Sequence, residues 1–251
     1  MAKSVILTVK DGQLRQTINT FLHDLLTKKV VEAILVPLVH PAESNVVPSL
    51  VTEPEYIKQA DVLAPVLPVN SARIVSAMTK LTPVSKKTAV VLKPCEMRAL
   101  IELVKLKQAS LDNLVLIGVD CPGAYAVKDY PQFAKESTSD DFVKTAWQGK
   151  EDLKLRAGCQ ICEYPVPLTA DLTIGLVGID LSKGLLLQAN TEVGEQILEK
   201  LGFAVESDSE TAKKRDAAVS QLLAEIKKKR QKFFDQTKEE VGGLKNLSAI
   251  F

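Results

Sequence analysis

Four cysteines have the clearest capacity for chemistry in this sequence, and they are Cys95, Cys121, Cys159 and Cys162. They are arranged as C-x25-C-x37-C-x2-C. Thiolates are soft ligands that suit an iron–sulfur cluster or zinc, whereas isolated cysteines are often buried simply as small apolar side chains. The spacing is neither the compact run of a bacterial ferredoxin nor the paired C-x2-C of structural zinc. It therefore leaves a cluster, a zinc ion and no metal as open alternatives.

Proline and glycine lie directly beside two of these cysteines. Pro94 precedes Cys95, and Pro122-Gly123 follows Cys121. Because proline and glycine interrupt regular structure, they leave backbone N–H groups free and allow close approach. Cluster sulfurs accept hydrogen bonds from such groups. This placement favours a metal or cluster over scattered structural cysteines.

The first two cysteines follow predicted strands. Residues 88–92 and 113–119 are short apolar runs, and an amphipathic helix predicted over 96–108 connects them. This βαβ pattern predicts two parallel strands with a right-handed crossover. Cys95 and Cys121 then lie past the carboxyl ends of these strands, at the edge where open α/β sheets build their sites. Because neighbouring strands are about 4.8 Å apart, the two cysteines can meet in space.

Apolar runs of strand length alternate with amphipathic stretches along the rest of the chain. Further strands are predicted over 4–9, 31–38, 66–69, 171–179 and 184–190. Further helices are predicted over 13–28, 53–60, 71–80, 139–156, 191–201 and 207–241, and the remainder of 45–65 is predicted as loop. We therefore expect an α/β fold with a mixed, largely parallel sheet flanked by helices. It would occupy residues 1–205, as one unit or as subdomains 1–85 and 86–205, followed by a charged helical tail over 206–251.

The composition excludes several classes of function. Lys and Arg number 32 and Asp and Glu 31 among 251 residues, so the formal net charge is +1. A near-neutral chain lacks the basic excess of a dedicated nucleic-acid binder. No apolar run approaches the roughly 20 residues of a membrane span, and the N-terminus becomes charged too early for a secretory signal. We expect a cytoplasmic protein, in which stable disulfides are rare.

Two parts of the chain match a known pattern: the run that begins KPCEMRAL and ends VDCPGAY, and the segment from Cys159 to Gly175. In these the sequence resembles the coenzyme F420 (deazaflavin) hydrogenase and dehydrogenase beta-subunit family. The family pattern has a Pro-Cys helix start, a strand ending in cysteine, a C-x2-C loop and a strand opening with Ala-Asp. Here its first half is KPCEMRALIELVKLKQASLDNLVLIGVDCPGAY. Its second half is Cys159-Gln160-Ile161-Cys162, followed by Ala170-Asp171-Leu172-Thr173-Ile174-Gly175. The resemblance covers roughly residues 1–205 and includes all four cysteines.

This resemblance implies an FAD-binding α/β protein with one 4Fe-4S cluster. Its cluster ligands would be Cys95, Cys121, Cys159 and Cys162. The implied function is an electron-transfer subunit that relays electrons between FAD and the cluster, to or from partner subunits of an oxidoreductase complex. The alternative is a zinc-stabilised or flavin-free scaffold subunit. No catalytic side chain is predicted, because flavin chemistry belongs to the cofactor.

The flavin contacts implied by the resemblance lie at two predicted helix starts. A helix N-terminus with free N–H groups is a natural diphosphate site, and cations can pair with phosphates there. The candidates are Asn70, Ser71, Arg73, Lys93 and Arg98. Family members commonly carry a Gly-Ser-aromatic motif near the first turn, and this chain has Asn70-Ser71-Ala72-Arg73 instead. The alternatives are a simple N-cap for Ser71, solvated cations, and an ion pair between Arg98 and Glu102.

Other residues have weaker signals. Tyr125 would stack near a ring or pack in the core, and Asp171 would orient the C-x2-C loop or simply begin a strand. We expect the two histidines, His23 and His40, to be structural or surface residues and not metal ligands. Trp147 is expected to pack in the fold or at an interface and not to stack on the flavin.

The tail indicates partner subunits. Similar proteins often carry a ferredoxin module, and this chain has no cysteine after Cys162. We therefore expect further clusters on partner redox subunits, one of them ferredoxin-like, with deazaflavin or a nicotinamide as possible substrate. The tail helix would pack on such a partner or fold back on its own domain. Its apolar residues are Phe233 and Phe234, followed by Leu244, Leu247, Ile250 and Phe251.

Overall fold

The computed structural model describes residues 3–40, 45–147, 154–204, 206–207 and 210–240. The strands in these ranges are β1 (Lys3–Thr8), β2 (Ala33–Val39), β3 (Val46–Val51), β4 (Thr88–Leu92), β5 (Leu114–Val119), β6 (Leu172–Gly175), β7 (Gly184–Ala189) and β8 (Glu206–Ser207). The α-helices are α1 (Leu14–Thr27), α2 (Ser71–Thr79), α3 (Pro94–Lys105), α4 (Tyr130–Glu136), α5 (Ser139–Trp147), α6 (Ala157–Gln160), α7 (Glu192–Leu201) and α8 (Glu210–Glu240). A 3-10 helix spans Pro54–Gln59.

All of these strands form one mixed sheet in the order β3-β2-β4-β5-β6-β7-β1-β8. The four strands β2, β4, β5 and β6 are parallel to their neighbours within the group. The outer strands pair antiparallel. This confirms the predicted α/β fold, its mixed sheet and its flanking helices. The sheet runs through both of the alternative subdomains 1–85 and 86–205.

Helices cover both faces of the sheet, and successive residues of β4 show why. Val91 packs in the apolar cluster that contains α1, whereas Val90 and Leu92 pack with α2 and α3. Side chains alternate between the faces of a strand, so a strand covered on both sides is apolar throughout. On α1, Leu14 and Leu22 are fully buried, and each contributes about 1.5–3 kcal/mol to stability.

Two segments of the first third of the chain differ from their predicted structure. Residues 46–51 form the edge strand β3 where a loop was predicted, and this strand contains Pro48. Proline is tolerated on edge strands because one side of the strand needs no hydrogen-bond donors. The strand predicted over 66–69 is wrong, since these residues have irregular backbone, with Val66 buried.

Further differences occur near the cysteines. Helix α3 begins at Pro94, two residues earlier than predicted, so Cys95 lies in its first turn. Proline fits the first helical position because its missing N–H has no partner there in any case. The helix predicted over 139–156 ends at Trp147, and residues 148–153 of that prediction lie outside the described residues. The strand predicted over 171–179 ends at Gly175.

A buried ion pair holds the start of α8 on the sheet. The Arg215 guanidinium donates to both carboxylate oxygens of Asp120, over 2.6 and 2.8 Å. The same carboxylate accepts the backbone N–H groups of Leu176 and Val177, at 2.7 and 3.0 Å. The start of the tail helix therefore folds back on its own chain. The division at residue 206 stays a prediction, and residues 244–251 lie outside the described residues.

No helix in the described part of the chain has both the length and the apolarity needed to cross a membrane.

Candidate functional site

The four cysteines come from three separate segments. Cys95 lies in the first turn of α3, directly after β4, and Cys121 follows β5 with one residue between. Cys159 lies in α6, and Cys162 follows that short helix. Each thiol is half-buried and none is disulfide-bonded. Because β4 and β5 are adjacent and parallel, Cys95 and Cys121 occupy the same sheet edge.

Backbone contacts bring the C-x2-C segment against the loop after β5. The Cys121 N–H donates to the Pro165 carbonyl over 2.8 Å, and the Arg156 N–H donates to the Ala124 carbonyl over 2.9 Å. Gly123 has a φ of +133°, and a Cβ built there would lie 2.6 Å from a Leu155 methyl group. Only glycine combines this backbone conformation with so close an approach.

Burial and mutual proximity set the ionisation of the buried thiols. Burial, together with the charges of Cys121 and Glu96, raises the pKa of Cys95 to about 11. Burial also raises the pKa of Cys121, with smaller contributions from Cys159 and Cys162. Cys121 thus affects the pKa of Cys95, and Cys159 and Cys162 affect the pKa of Cys121.

Two cations oppose this effect. The buried Lys93 ammonium donates to the Ala64 carbonyl, and its charge lowers the pKa of both Cys95 and Cys121. The Arg156 Nε donates to the Cys159 sulfur over 3.2 Å. Arg156 was not a sequence candidate, and its position three residues before Cys159 is the signal that could have identified it. Positive charge beside thiols favours the thiolates that a metal or cluster requires.

The four cysteine thiols are the right kind of ligand for a zinc ion or an iron–sulfur cluster, and the cations Lys93 and Arg156 lie beside them. Zinc would need its sulfurs at about 2.3 Å from one point. Among the described residues, no three His, Cys, Asp or Glu side chains are grouped closely enough to hold a single metal ion.

Glu96 links the two helix starts that were predicted as alternative phosphate sites. Its Oε1 accepts the Ser71 N–H over 2.8 Å, and its Oε2 accepts the Lys93 N–H over 2.9 Å. Asn70 caps α2 by accepting the Ala72 N–H over 3.0 Å. The Ser71 and Lys93 N–H groups are therefore already paired with a buried carboxylate, and the use of these helix starts by a diphosphate stays a prediction. Glu96 was missed, although a glutamate at the third helical position is a capping-box signal.

The three predicted flavin-binding cations differ in exposure. Lys93 is only 8% exposed, whereas Arg73 and Arg98 are exposed. The Arg98 guanidinium lies over the Tyr164 ring, 4.4 Å from its centroid. Glu102 pairs with Lys105 over 2.7 Å instead of with Arg98. Arg98 therefore stacks on an aromatic ring, and none of the described residues hydrogen-bonds its guanidinium.

An open groove of about 550 Å³ lies between α3 and the segment that follows Cys162. Its polar and aromatic lining residues are Cys95, Arg98, Glu102, Tyr164 and Thr169, and the rest of the lining is apolar. Its size lies within the roughly 300–1,000 Å³ of small-molecule sites. The groove thus joins one cysteine, one cation and one aromatic ring.

A second, narrower cavity has a buried acid in its wall. Asp61, Ser71, Lys93 and Glu96 line it. Burial raises the pKa of Asp61, which accepts a hydrogen bond from the Ser139 hydroxyl over 2.7 Å. The Lys93 ammonium donates to the Ala64 carbonyl, and Glu96 accepts the backbone N–H groups described above, so each of these three charged groups has a partner within the fold.

Two of the weaker candidates have structural roles. Tyr125 stacks on Phe133 with ring centroids 4.9 Å apart, which is core packing. The Asp171 carboxylate accepts the Leu116 N–H over 2.8 Å and the Thr191 hydroxyl over 2.6 Å. It therefore joins β5 to the start of α7, and the interpretation that it orients the C-x2-C loop is wrong.

The histidine and tryptophan candidates lie on other elements than the cysteines. His23 is near Asp24 on α1, His40 follows β2, and Trp147 packs against the core.

Gly118 of β5 gives a test of how closely the segment after Cys162 packs. A Cβ there would overlap the Pro167 ring, so Gly118→Ala is expected to cost about 1–3 kcal/mol through overpacking. Thermal unfolding should show a Tm lowered by roughly 2–4 °C for each kcal/mol. Gly158→Ala is the control, since its Cβ would have no neighbour within 4 Å. Equal Tm values for the two variants would contradict the close packing.

Comparison with known proteins gives a family and a fold. Residues 85–214, which include all four cysteines, match the family model for the C-terminal part of the coenzyme F420 hydrogenase/dehydrogenase beta subunit. The chain is 33% identical over 147 residues to the F420-dependent formate dehydrogenase 1 subunit beta of Methanococcus maripaludis, covering 47% of this chain and 38% of that protein. It is 26% identical over 237 residues to the F420-dependent formate dehydrogenase subunit beta of Methanocaldococcus jannaschii, covering 83% and 61%. The chain therefore spans less than two thirds of either relative.

A solved structure shares the fold. One chain of the F420-reducing [NiFe] hydrogenase complex from Methanosarcina barkeri superposes with a TM-score of 0.61 at 14% identity, over 98% of this chain and 94% of that one.

Proposed function

The chain belongs to the coenzyme F420 hydrogenase/dehydrogenase beta-subunit family, and we propose that it is an electron-transfer subunit of an oxidoreductase complex. FAD and one 4Fe-4S cluster would relay electrons to or from partner subunits. The observation that carries this proposal is that hydrogen bonds and strand pairing hold three cysteine-bearing segments side by side, with Lys93 and Arg156 among them. Four cysteines scattered for packing alone would need no such cations.

The protein's own groups have defined roles in this proposal. Cys95, Cys121, Cys159 and Cys162 hold the cluster, which supplies one-electron transfer when bound. The positive charges of Lys93 and Arg156 offset the negative charge of four thiolates in a partly buried site. Half-burial of the thiols limits the access of water.

Arg98 is the flavin candidate that the geometry supports best. It lines the groove that also contains Cys95, and its stacking on Tyr164 leaves the guanidinium edges able to pair with a diphosphate. The starts of α2 and α3 are less suited, because Glu96 already accepts hydrogen bonds from the Ser71 and Lys93 N–H groups. A flavin in this groove would lie directly beside a cluster ligand, which gives a short path for electrons.

The relatives' names guide the choice of redox substrate. Both are F420-dependent formate dehydrogenase beta subunits. We therefore propose the deazaflavin coenzyme F420 as the electron donor or acceptor, with a nicotinamide as the alternative.

Anaerobic purification followed by cofactor analysis tests the proposal. The expected protein is brown, contains about four iron and about four sulfide per chain, and releases FAD on denaturation. Rapid bleaching or reduction of the flavin on addition of reduced F420, but not NADH, would support the deazaflavin assignment. A colourless, folded protein that contains zinc, or no metal and no flavin, would favour the scaffold alternative instead.

A further inference from the structure

The second half of α8 carries a dense positive patch. Residues Lys227–Lys232 have the sequence KKKRQK, and we call them the basic segment. The four lysines of this segment are exposed. Phe233 and Phe234 follow directly, are 45% and 44% exposed, and contact each other edge to face at 6.2 Å. Two exposed aromatic rings thus adjoin four ammonium groups.

Within the described residues, no ion pair compensates the four lysines of this segment. The ion pair found for the segment is between Arg230 and Glu163. The flanking carboxylates Glu225 and Asp235 accept hydrogen bonds from Gln221 and Gln231, each over 2.9 Å. The four lysine ammonium groups have no carboxylate within ion-pair distance in the described structure.

Contacts place α8 beside the proposed cluster site. Arg230 reaches Glu163, the residue that follows Cys162. Near the other end, Arg215 is paired with Asp120, the residue that precedes Cys121. These two arginines are separated by roughly 22 Å along the helix at 1.5 Å per residue. The helix therefore runs past both cysteine-bearing loops, with the basic segment near the second.

We propose that the basic segment, with Phe233 and Phe234, is the docking surface for an acidic electron-carrier protein. This inference rests on the proposed function and names the partner of the same site. The ammonium groups attract and orient a negatively charged surface, and the two phenylalanines supply the aromatic contact that protein interfaces favour. A carrier bound here lies beside the C-x2-C loop, where electrons would enter or leave.

The distribution of apolar residues favours a protein over a lipid surface. A helix that lies in a membrane interface presents a continuous apolar face. On α8 the side chains of Leu222, Leu223 and Ile226 are half-buried, and the large apolar side chains that are exposed are the adjacent Phe233 and Phe234. Such a small aromatic patch within a cationic surface suits a protein partner.

Charge reversal with a matched control tests this surface in the full chain. The triple variant Lys227→Glu, Lys228→Glu, Lys229→Glu is compared with Lys58→Glu, Lys80→Glu, Lys86→Glu, which changes three exposed lysines elsewhere and gives the same net charge. The probe is a purified acidic two-cluster ferredoxin, and its Kd is measured by anaerobic calorimetry at low and high salt. The α8 variant is expected to bind at least tenfold more weakly at low salt. The difference should shrink near 1 M salt, where the screening length is about 3 Å.

A second variant separates the aromatic contribution. Phe233→Ala with Phe234→Ala is expected to weaken ferredoxin binding at both salt concentrations, since apolar contact is not screened. Equal losses in the two charge-reversal variants, or no loss in the α8 variant, would overturn the proposal. So would binding of the wild type to anionic phosphatidylserine vesicles but not to ferredoxin.

Measuring iron, sulfide and FAD in each variant distinguishes a failure of the docking surface from a failure of the proposed function. Iron, sulfide and FAD are expected to be unchanged in the α8 and control variants. A protein without these cofactors that still shows the α8-dependent binding would overturn the electron-transfer function and leave the docking surface standing.

Discussion

Replacing Asp120 with alanine is expected to lower the free energy of unfolding by about 3–5 kcal/mol, the range for breaking a buried ion pair on one side. The Arg215 guanidinium would remain in a nearly inaccessible position, 4% exposed, without its bidentate partner. The backbone N–H groups of Leu176 and Val177 would also lose their acceptor. Each buried donor left unpaired costs about 1–3 kcal/mol, so the loss should lie near the upper end of the range.

Urea unfolding followed by circular dichroism measures this loss. Arg215→Met is the second variant, and it should be less severe because Asp120 keeps two backbone donors. Lys214→Ala is the matched control on the same helix, since its ion pair with Glu210 is exposed and is worth about 0–1 kcal/mol. If Asp120→Ala and Lys214→Ala unfold at the same urea concentration, the start of α8 is not held on the sheet by this pair.

The ion pair also has a consequence for the cysteine site. Asp120 directly precedes Cys121, and its own N–H donates to the Ile174 carbonyl over 3.1 Å. The backbone that presents Cys121 is therefore held by hydrogen bonds from β6 and by a side chain from α8. Loosening Arg215 should disturb the position of one proposed cluster ligand as well as the global stability.

The parallel centre of the sheet could be predicted because its sequence signal is local. A strand buried on both faces is a continuous apolar run, as in β4, and the amphipathic α3 follows it at once. Two such strands joined by one crossover helix are expected to be parallel. The sequence alone therefore predicts Cys95 and Cys121 at one edge of the sheet. The structure pairs Val90 with Leu116 in that parallel register.

Contacts between distant residues could not be predicted. Arg215 is one of many cations on a charged helix, and its partner Asp120 lies 95 positions earlier. Strand β3 pairs on one side only with β2, so its sequence tolerates Pro48 and has no continuous apolar run. In each case a contact between residues distant in sequence decides the structure. No local hydrophobic periodicity or capping motif indicates such a contact.

The same distinction applies within the candidate site. The cysteines could be assigned from their types and their places at strand ends. The role of Glu96 could not, because its carboxylate also serves a helix that begins at Ser71, 25 positions earlier. The sequence therefore could not show that the Ser71 N–H already has a carboxylate partner.

Cys95→Ser is expected to abolish cluster binding, with iron falling from about four per chain to less than about one. Four thiolates hold such a cluster, and a serine hydroxyl is a far poorer ligand for iron because it remains protonated at neutral pH. Serine is nearly the same size as cysteine, and Cys95 is half-buried in the first turn of α3. The fold should therefore persist, which circular dichroism and gel filtration would show.

Thr169→Ser is the matched control, because Thr169 lines the same groove as Cys95 and is not a proposed ligand. It should keep the full iron and sulfide content and the wild-type absorption spectrum. FAD content then separates the two cofactors: flavin retained in Cys95→Ser would mean that the groove binds FAD independently of the cluster. Full iron and sulfide in Cys95→Ser would remove Cys95 from the ligand set, whereas zinc lost in place of iron would identify the thiols as a zinc site.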